Sequence, residues 1–321
     1  MTEIIVGDVG GTSVRFALAK REDGVYRLCS FEKYSNDAFP DFYAALRRYL
    51  DETGARPTSA LFALAGPPSG RTVSLTNRPW TVSADKLETQ FGFGRADLVN
   101  DFTAMARCVP ELPDTAFNQI KPGEPVPEDP VLVIGPGTGL GIATLLGSPT
   151  RGWHIVGGEG GHGAFSPSND EEWEIFKIYH RELGYVPNEL ICAGIGLDRL
   201  HRAVCDVTGQ VYDPMSAPDI SKRALDGDPL CLKICRIRSR TVLSVAGDVA
   251  LANGARGGVV IAGGASVRLA RFLGEQSALD RFVQRGIQRA YMDQMPISLL
   301  IDETAPLIGA AALHDDFVSR I

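Results

Sequence analysis

Three glycine-rich stretches and one Asn-Asp pair hold the side chains with chemical potential. Residues 7–12 read Gly7-Asp8-Val9-Gly10-Gly11-Thr12 between the apolar runs 4–6 and 14–18. Successive backbone N–H groups in such a turn form a concave nest that suits phosphate oxygens. Glycine there lets the backbone approach closely. Asp8 can hold a magnesium ion directly or through water, and Thr12 can donate its hydroxyl to a phosphate. An ordinary hairpin turn can contain the same residues. The chain has no Gly-Lys dipeptide, so this is not a Walker loop. An apolar strand pattern rather than a helix follows it, so it is not a dinucleotide-binding start either.

A second turn of this type, Gly135-Pro136-Gly137-Thr138-Gly139-Leu140-Gly141, lies in the other half of the chain. Two such turns, one per half, predict a triphosphate gripped from both sides. Gly158-Glu159-Gly160-Gly161-His162-Gly163 has the glycine spacing of a dinucleotide motif, but no helical pattern begins there. Its notable residues are Glu159 and His162, left accessible by small neighbours. A carboxylate and an imidazole offer the acceptors and the donor that a polyhydroxyl ligand needs; a structural histidine is the alternative. Asn100-Asp101 ends an apolar stretch. Ligand sites in α/β sheets lie at the carboxyl ends of strands, and an aspartate there can take a proton from a substrate hydroxyl. Asx residues also build plain turns.

The elements that must position these residues follow from periodicity and punctuation. Residues 4–18 predict a β-hairpin turning at 7–12. Pro40, Phe42, Leu46 and Leu50, then Gly54, predict a helix over 40–53. Strands are expected at 60–65 and 96–99, and a helix from Thr103. Five prolines between 111 and 130 mark a candidate inter-domain linker. Residues 131–146 predict strand, turn, strand; the uncharged run 130–150 is therefore not a membrane helix. Ser168 and Glu171 form a capping box for a helix to 183. A long helix is expected over 228–252, a strand over 258–262 ending at Gly263-Gly264, and a last helix over 308–317. Strands alternating with helices give the α/β class. The repeated glycine-turn hairpin suggests two related lobes facing across a cleft.

The 321 residues are 44% apolar and 22% charged, enough for a sizeable core. A formal charge of −7 argues against a nucleic-acid partner. Six cysteines occur without a CxxC pair. The Cys231/Cys235 and His201/Cys205 spacings are read as buried core side chains. Free thiols, the absence of a signal-peptide pattern and no spanning helix point to the cytoplasm.

GDVGGT at 7–12, LAGP at 64–67, TN-x-x-W at 76–80, NDFTA at 100–104, GPGTGLG at 135–141, GGEGGH at 157–162 and ARGGVVIAGG at 255–264 stand in one order. Together they resemble the bacterial glucokinase family, within the actin/hexokinase/Hsp70-like ATPases, over essentially the whole chain. The resemblance implies a two-lobed, ribonuclease H-like α/β fold: a small domain at 1–110 plus 303–321, and a large one at 111–302. It implies ATP-dependent phosphorylation of glucose at its 6-hydroxyl, in glycolysis, with Asp101 as catalytic base. Asn100, Asp101, Glu159, His162 and Glu189 would bind the sugar. Gly7, Asp8, Val9, Gly10, Gly11 and Thr12, with Gly137, Thr138 and Gly139, would cradle the phosphates, and Gly263 and Gly264 would lie near the adenosine. Magnesium, through Asp8, would bridge the phosphates, and the family resemblance implies a homodimer. The chain departs from the family pattern at Ser13-Val14, Ala265-Ser266-Val267-Arg268 and 302–305. It lacks the zinc-binding cysteine cluster of the related ROK kinases and repressors. A sugar sensor, a kinase for another hexose and a protein-remodelling ATPase are the rival readings.

Overall fold

In the computed structural model, which describes residues 3–319, the opening hairpin joins β1 (Ile4–Val9) to β2 (Ser13–Glu22). Gly7, Asp8 and Val9 belong to β1 itself, so the turn is shorter than the expected 7–12. The chain continues through β3 (Val25–Ser35), α1 (Phe42–Thr53) and β4 (Ser59–Leu64). Asp41 caps α1 and Gly54 ends it, which leaves Pro40 outside the helix. Three short strands follow, β5 (Pro68–Ser69), β6 (Thr72–Ser74) and β7 (Thr81–Ser83). Then come α2 (Ala84–Phe91), β8 (Arg95–Asn100) and α3 (Asp101–Cys108). The last of these begins two residues before the expected Thr103, because the Asn100 side chain accepts from the Phe102 N–H and caps it.

Further on are β9 (Phe117–Lys121), β10 (Val131–Pro136), β11 (Leu140–Ser148) and β12 (Gly152–Gly158). The proline-rich stretch read as a linker thus contains a strand: β9 pairs with a late strand, Ile297–Leu300, so part of it is sheet. Helices α4 (Asp170–Leu183), α5 (Glu189–Cys192), α6 (Leu197–Thr208), α7 (Ala217–Leu225) and α8 (Pro229–Asn253) come next. Asn169, not Ser168, caps α4. Ser168 instead donates its N–H to Glu172, at 3.0 Å, and Glu172 is fully buried against Arg240 at 2.8 Å. The chain ends with β13 (Gly258–Ile261), α9 (Gly264–Leu273), α10 (Gln276–Val283), α11 (Arg289–Asp293), β14 (Ile297–Leu300) and α12 (Ala305–Ser319).

Packing divides the chain into two units. The first is the described part of Met1–Asp114, Ser148–Gly157 and Asp302–Ile321. Its sheet runs β3-β2-β1-β4-β8. Alternation in β1 sends Ile5 and Val9 to an aromatic face with Phe16, Phe42 and Phe62, and Ile4 and Val6 to a face covered by Leu307, Ala310 and Ala311 of α12. Phe42 and Phe62 meet edge to face at 5.0 Å. Helix α12 is tied to α3 by the Arg107–Asp316 pair at 2.6 Å. The sequence boundaries gave 148–157 to the larger domain. Its packing is with the first unit, where Ile155 joins the α12 cluster and Arg107 lies 6.0 Å from the Trp153 ring.

The second unit is Thr115–Gly147 with Gly158–Ile301. Within it the strands join in the order β11-β10-β13-β14-β9. Most of α8 is buried, with Ile234, Ile237, Val242, Leu243 and Ala246 fully enclosed, and it forms the spine of this core. Cys205, Cys231, Cys235 and His201 are buried, as their spacing on helices suggested. No helix among the described residues is long and apolar enough to cross a membrane.

Candidate active site

In the first unit, β1, β4 and β8 are parallel, with Val9 beside Leu64 and Leu64 beside Asn100. Their carboxyl ends therefore share one edge, and two strand spacings, about 10 Å, separate the glycine turn from Asn100. The turn is held from behind by Asn36, a fully buried residue. Its Nδ2 donates to the Gly10 carbonyl at 2.8 Å and its N–H to the Thr12 carbonyl at 3.0 Å. Sequence reading missed Asn36, because nothing local marks it and its partners lie more than twenty residues away.

Asp8 is 17% exposed, with Arg15 at 3.7 Å. Burial pushes its carboxyl above the ordinary value, and the Arg15 and Lys33 cations only partly offset that. Arg15 is itself anchored by donating to the Glu303 carbonyl at 2.8 Å. Asn100 donates to the Gly66 carbonyl at 3.3 Å, which locks the LAGP turn to the same edge. Asp101 opens α3, and its Oδ1 accepts the Phe102 N–H at 2.9 Å. A helix N-terminus is a favourable place for a carboxylate.

In the second unit, β10 and β13 are parallel, with Ile134 beside Ile261, so the Gly137–Gly139 turn and Gly263 leave the sheet at the same end. The glycines here divide the labour. Gly135 lies within β10, and a Cβ on it would stand 2.6 Å from the Ala262 carbonyl carbon, so it serves strand packing. Gly263 has φ +90°, which a side chain would strain, and α9 starts directly after it. Gly137 and Gly264 have room for a Cβ, so packing does not require glycine at either, and the Gly137 N–H closes the turn by donating to the Gly139 carbonyl at 2.8 Å.

Glu189, at the start of α5, is the centre of this half. Its Oε2 accepts the Leu140 N–H at 3.4 Å, and its Oε1 lies 3.6 Å from His162 Nδ1. The structure thus brings Glu189, His162 and the Gly139–Leu140 turn together, although 27 residues separate the two side chains in sequence. His162 ends a 3₁₀ turn, Gly160–His162, and Glu159 precedes it, exposed, its carbonyl accepting the His162 N–H at 3.0 Å. Asn188, also missed in the sequence, sets this loop: its Nδ2 and its N–H both donate to the Gly163 carbonyl at 2.9 Å. Tyr185 donates to the His162 carbonyl at 2.6 Å.

Among the described residues, no three His, Cys, Asp or Glu side chains stand close enough to cage a metal. The lone carboxylate of Asp8 still fits magnesium, which keeps several waters and completes its shell with phosphate oxygens.

The glucokinase family model matches residues 5–316. A glucokinase of Nitrobacter hamburgensis is 38% identical over 315 residues, covering 96% of each chain. The solved glucokinase of an Antarctic psychrotroph superposes with a TM-score of 0.85 at 32% identity, covering 98% of this chain and 99% of that one. A ROK family glucokinase of Streptomyces griseus, solved with glucose and AMPPNP, has the same fold at a TM-score of 0.68 and 20% identity, covering 97% and 98%.

Asp8→Asn removes a charge that burial disfavours. The folded-state pKa of Asp8 lies above its unfolded value, so protonation favours the folded state. Relative to the variant, the wild type should therefore gain stability as pH falls through the raised pKa, with the gain levelling off below the unfolded value. At pH 7 the variant is expected to unfold at no lower temperature while binding nucleoside triphosphate more weakly. Calorimetry and nucleotide titration check both. Lost stability at pH 7 with unchanged binding would contradict this role for Asp8.

Proposed function

The chain belongs to the glucokinase family, and from that premise we propose that Asp101 is the general base that activates the 6-hydroxyl of glucose toward the γ-phosphate of ATP. The chain is an ATP-dependent sugar kinase of the actin-like ATPase fold. The observation that carries the base assignment is the place of Asp101, on the first turn of α3 at the carboxyl end of β8 and on the same sheet edge as the 7–12 turn.

In this reading Asp101 accepts the hydroxyl proton as O6 attacks the γ-phosphorus, and the bond from that phosphorus to the bridging oxygen breaks to release ADP. Such a base contributes about 10²–10⁴-fold. Phosphoryl transfer otherwise depends on positioning and charge neutralisation. Asn100, Glu159, His162 and Glu189 take the sugar hydroxyls. The His162–Glu189 geometry supports this, since a paired imidazole and carboxylate present one donor and several acceptors. A sugar analogue lacking one hydroxyl leaves its partner group unpaired in the complex and is rejected. The Gly7–Thr12 and Gly137–Gly139 turns take the phosphates, and Gly263-Gly264, before α9, lie toward the adenosine. Asp8 would hold a magnesium ion, whose charge neutralises the phosphate oxygens when bound. A cytoplasmic homodimer acting in glycolysis completes the reading. Its mass by light scattering at micromolar concentration should be twice that of one chain, and a monomer mass would remove the dimer from it.

Asp101→Ala should lower turnover by about 10²–10⁴-fold while glucose binding stays measurable by calorimetry. Near-wild-type turnover in that variant would show the base assignment to be wrong.

A further inference from the structure

Helix α5 is a single turn, yet the segment it opens touches both chemical groups of the second unit. Glu189, at its start, faces His162 and the Leu140 N–H. Just past its end, the Gly194 N–H donates to the Gly137 carbonyl at 3.0 Å, and the Ile195 N–H to the Thr138 carbonyl at 2.8 Å. The segment therefore runs from the sugar carboxylate to the phosphate turn as one hydrogen-bonded strap. Its midpoint is Cys192, whose carbonyl accepts a hydrogen bond from Nε of Arg238 at 3.0 Å.

Arg238 comes from the middle of α8 and is 2% exposed. No ion pair joins it to a carboxylate among the described residues, and another cation, Arg268, is close enough to repel it. Burial, with that like charge adding to it, holds its guanidinium below the ordinary value. An enclosed charge without a counter-ion is costly, and the other buried side chains on this stretch of helix are the apolar Ile234, Ile237 and Val242 and the small, uncharged Ser239 and Thr241. Core packing alone gives no reason for an arginine here. The carbonyl at the end of a one-turn helix does give one, because it has no partner within the helix.

We propose that Arg238 is a positioning residue for phosphoryl transfer, holding the 189–195 strap through the Cys192 carbonyl so that Glu189 and the Gly137–Gly139 turn keep one register. This rests on the reading of Glu189 as a sugar ligand and of that turn as a phosphate ligand. Because one strap carries both groups, loosening it weakens both substrates together. A residue that matters only for folding lowers the active fraction, and thus the apparent kcat, without moving either KM.

The test is steady-state kinetics in glucose and in ATP, with thermal unfolding, on Arg238→Met, Arg238→Lys and Glu189→Gln. Arg238→Met should raise both KM values by about tenfold with a much smaller change in kcat. Arg238→Lys should restore both to within about twofold, since an ammonium can donate to the same carbonyl. Arg238→Met with both KM values unchanged, in the presence of a raised glucose KM in Glu189→Gln, overturns the positioning role alone. An unchanged glucose KM in Glu189→Gln overturns the sugar-site reading, and the proposal with it. Should the methionine variant fail to fold, Arg238→Ser, too short to reach the Cys192 carbonyl, replaces it, and unchanged KM values in that variant are equally decisive.

Discussion

Parallel pairing of short buried strands is the constraint on which each unit depends. In the first unit the register of β1, β4 and β8 aligns three carboxyl ends, so the glycine turn, the LAGP turn and Asn100-Asp101 leave the sheet on one edge. In the second, β10 and β13 do the same for the Gly137–Gly139 turn and Gly263. Parallel strands expose their chain exits together, and in each unit a helix begins at such an exit, α3 in the first and α9 in the second. A one-residue slip in either register would turn apolar side chains out of the core. The burial that stabilises the sheets therefore also fixes the chemistry at their edges.

Several groups in the two units work against stability. Asp8 is largely enclosed, which raises its pKa, and Arg238 is enclosed with no carboxylate paired to it among the described residues. Gly263 takes a backbone conformation that side chains avoid. Each runs against a local rule of good packing. By contrast, the buried Glu172 is fully paired, by Arg240 at 2.8 Å and Ser168 at 3.0 Å, as a group with only a structural duty requires.

Periodicity exposed most of the frame in the sequence. The hairpin, the long helix now seen as α8 and the two glycine turns follow from spacing alone, because alternation and glycine punctuation are local signals. The strand β9 escaped, since its partner β14 lies far along the chain and prolines surround it. The α4 cap was placed one residue early, because Ser168 and Asn169 both suit the position and only the burial of Glu172 decides between them. The same limit applies to the site. Glu159, His162 and Asp101 stand out by type and surroundings. Asn36, Asn188 and Arg238 act by reaching backbone carbonyls distant in sequence or fixed only by the fold, and an asparagine or arginine in sequence carries no sign of which carbonyl it will meet. Glu189 was marked only by family resemblance. Its meeting with His162 is a tertiary event.

The most direct test of a glucose-specific phosphotransferase is ADP release from ATP and magnesium, followed by a coupled assay across a panel of hexoses. The expected result is turnover with glucose well above every other sugar. Folded protein that releases no ADP with any hexose would contradict the kinase reading, and turnover confined to another sugar would contradict the glucose specificity.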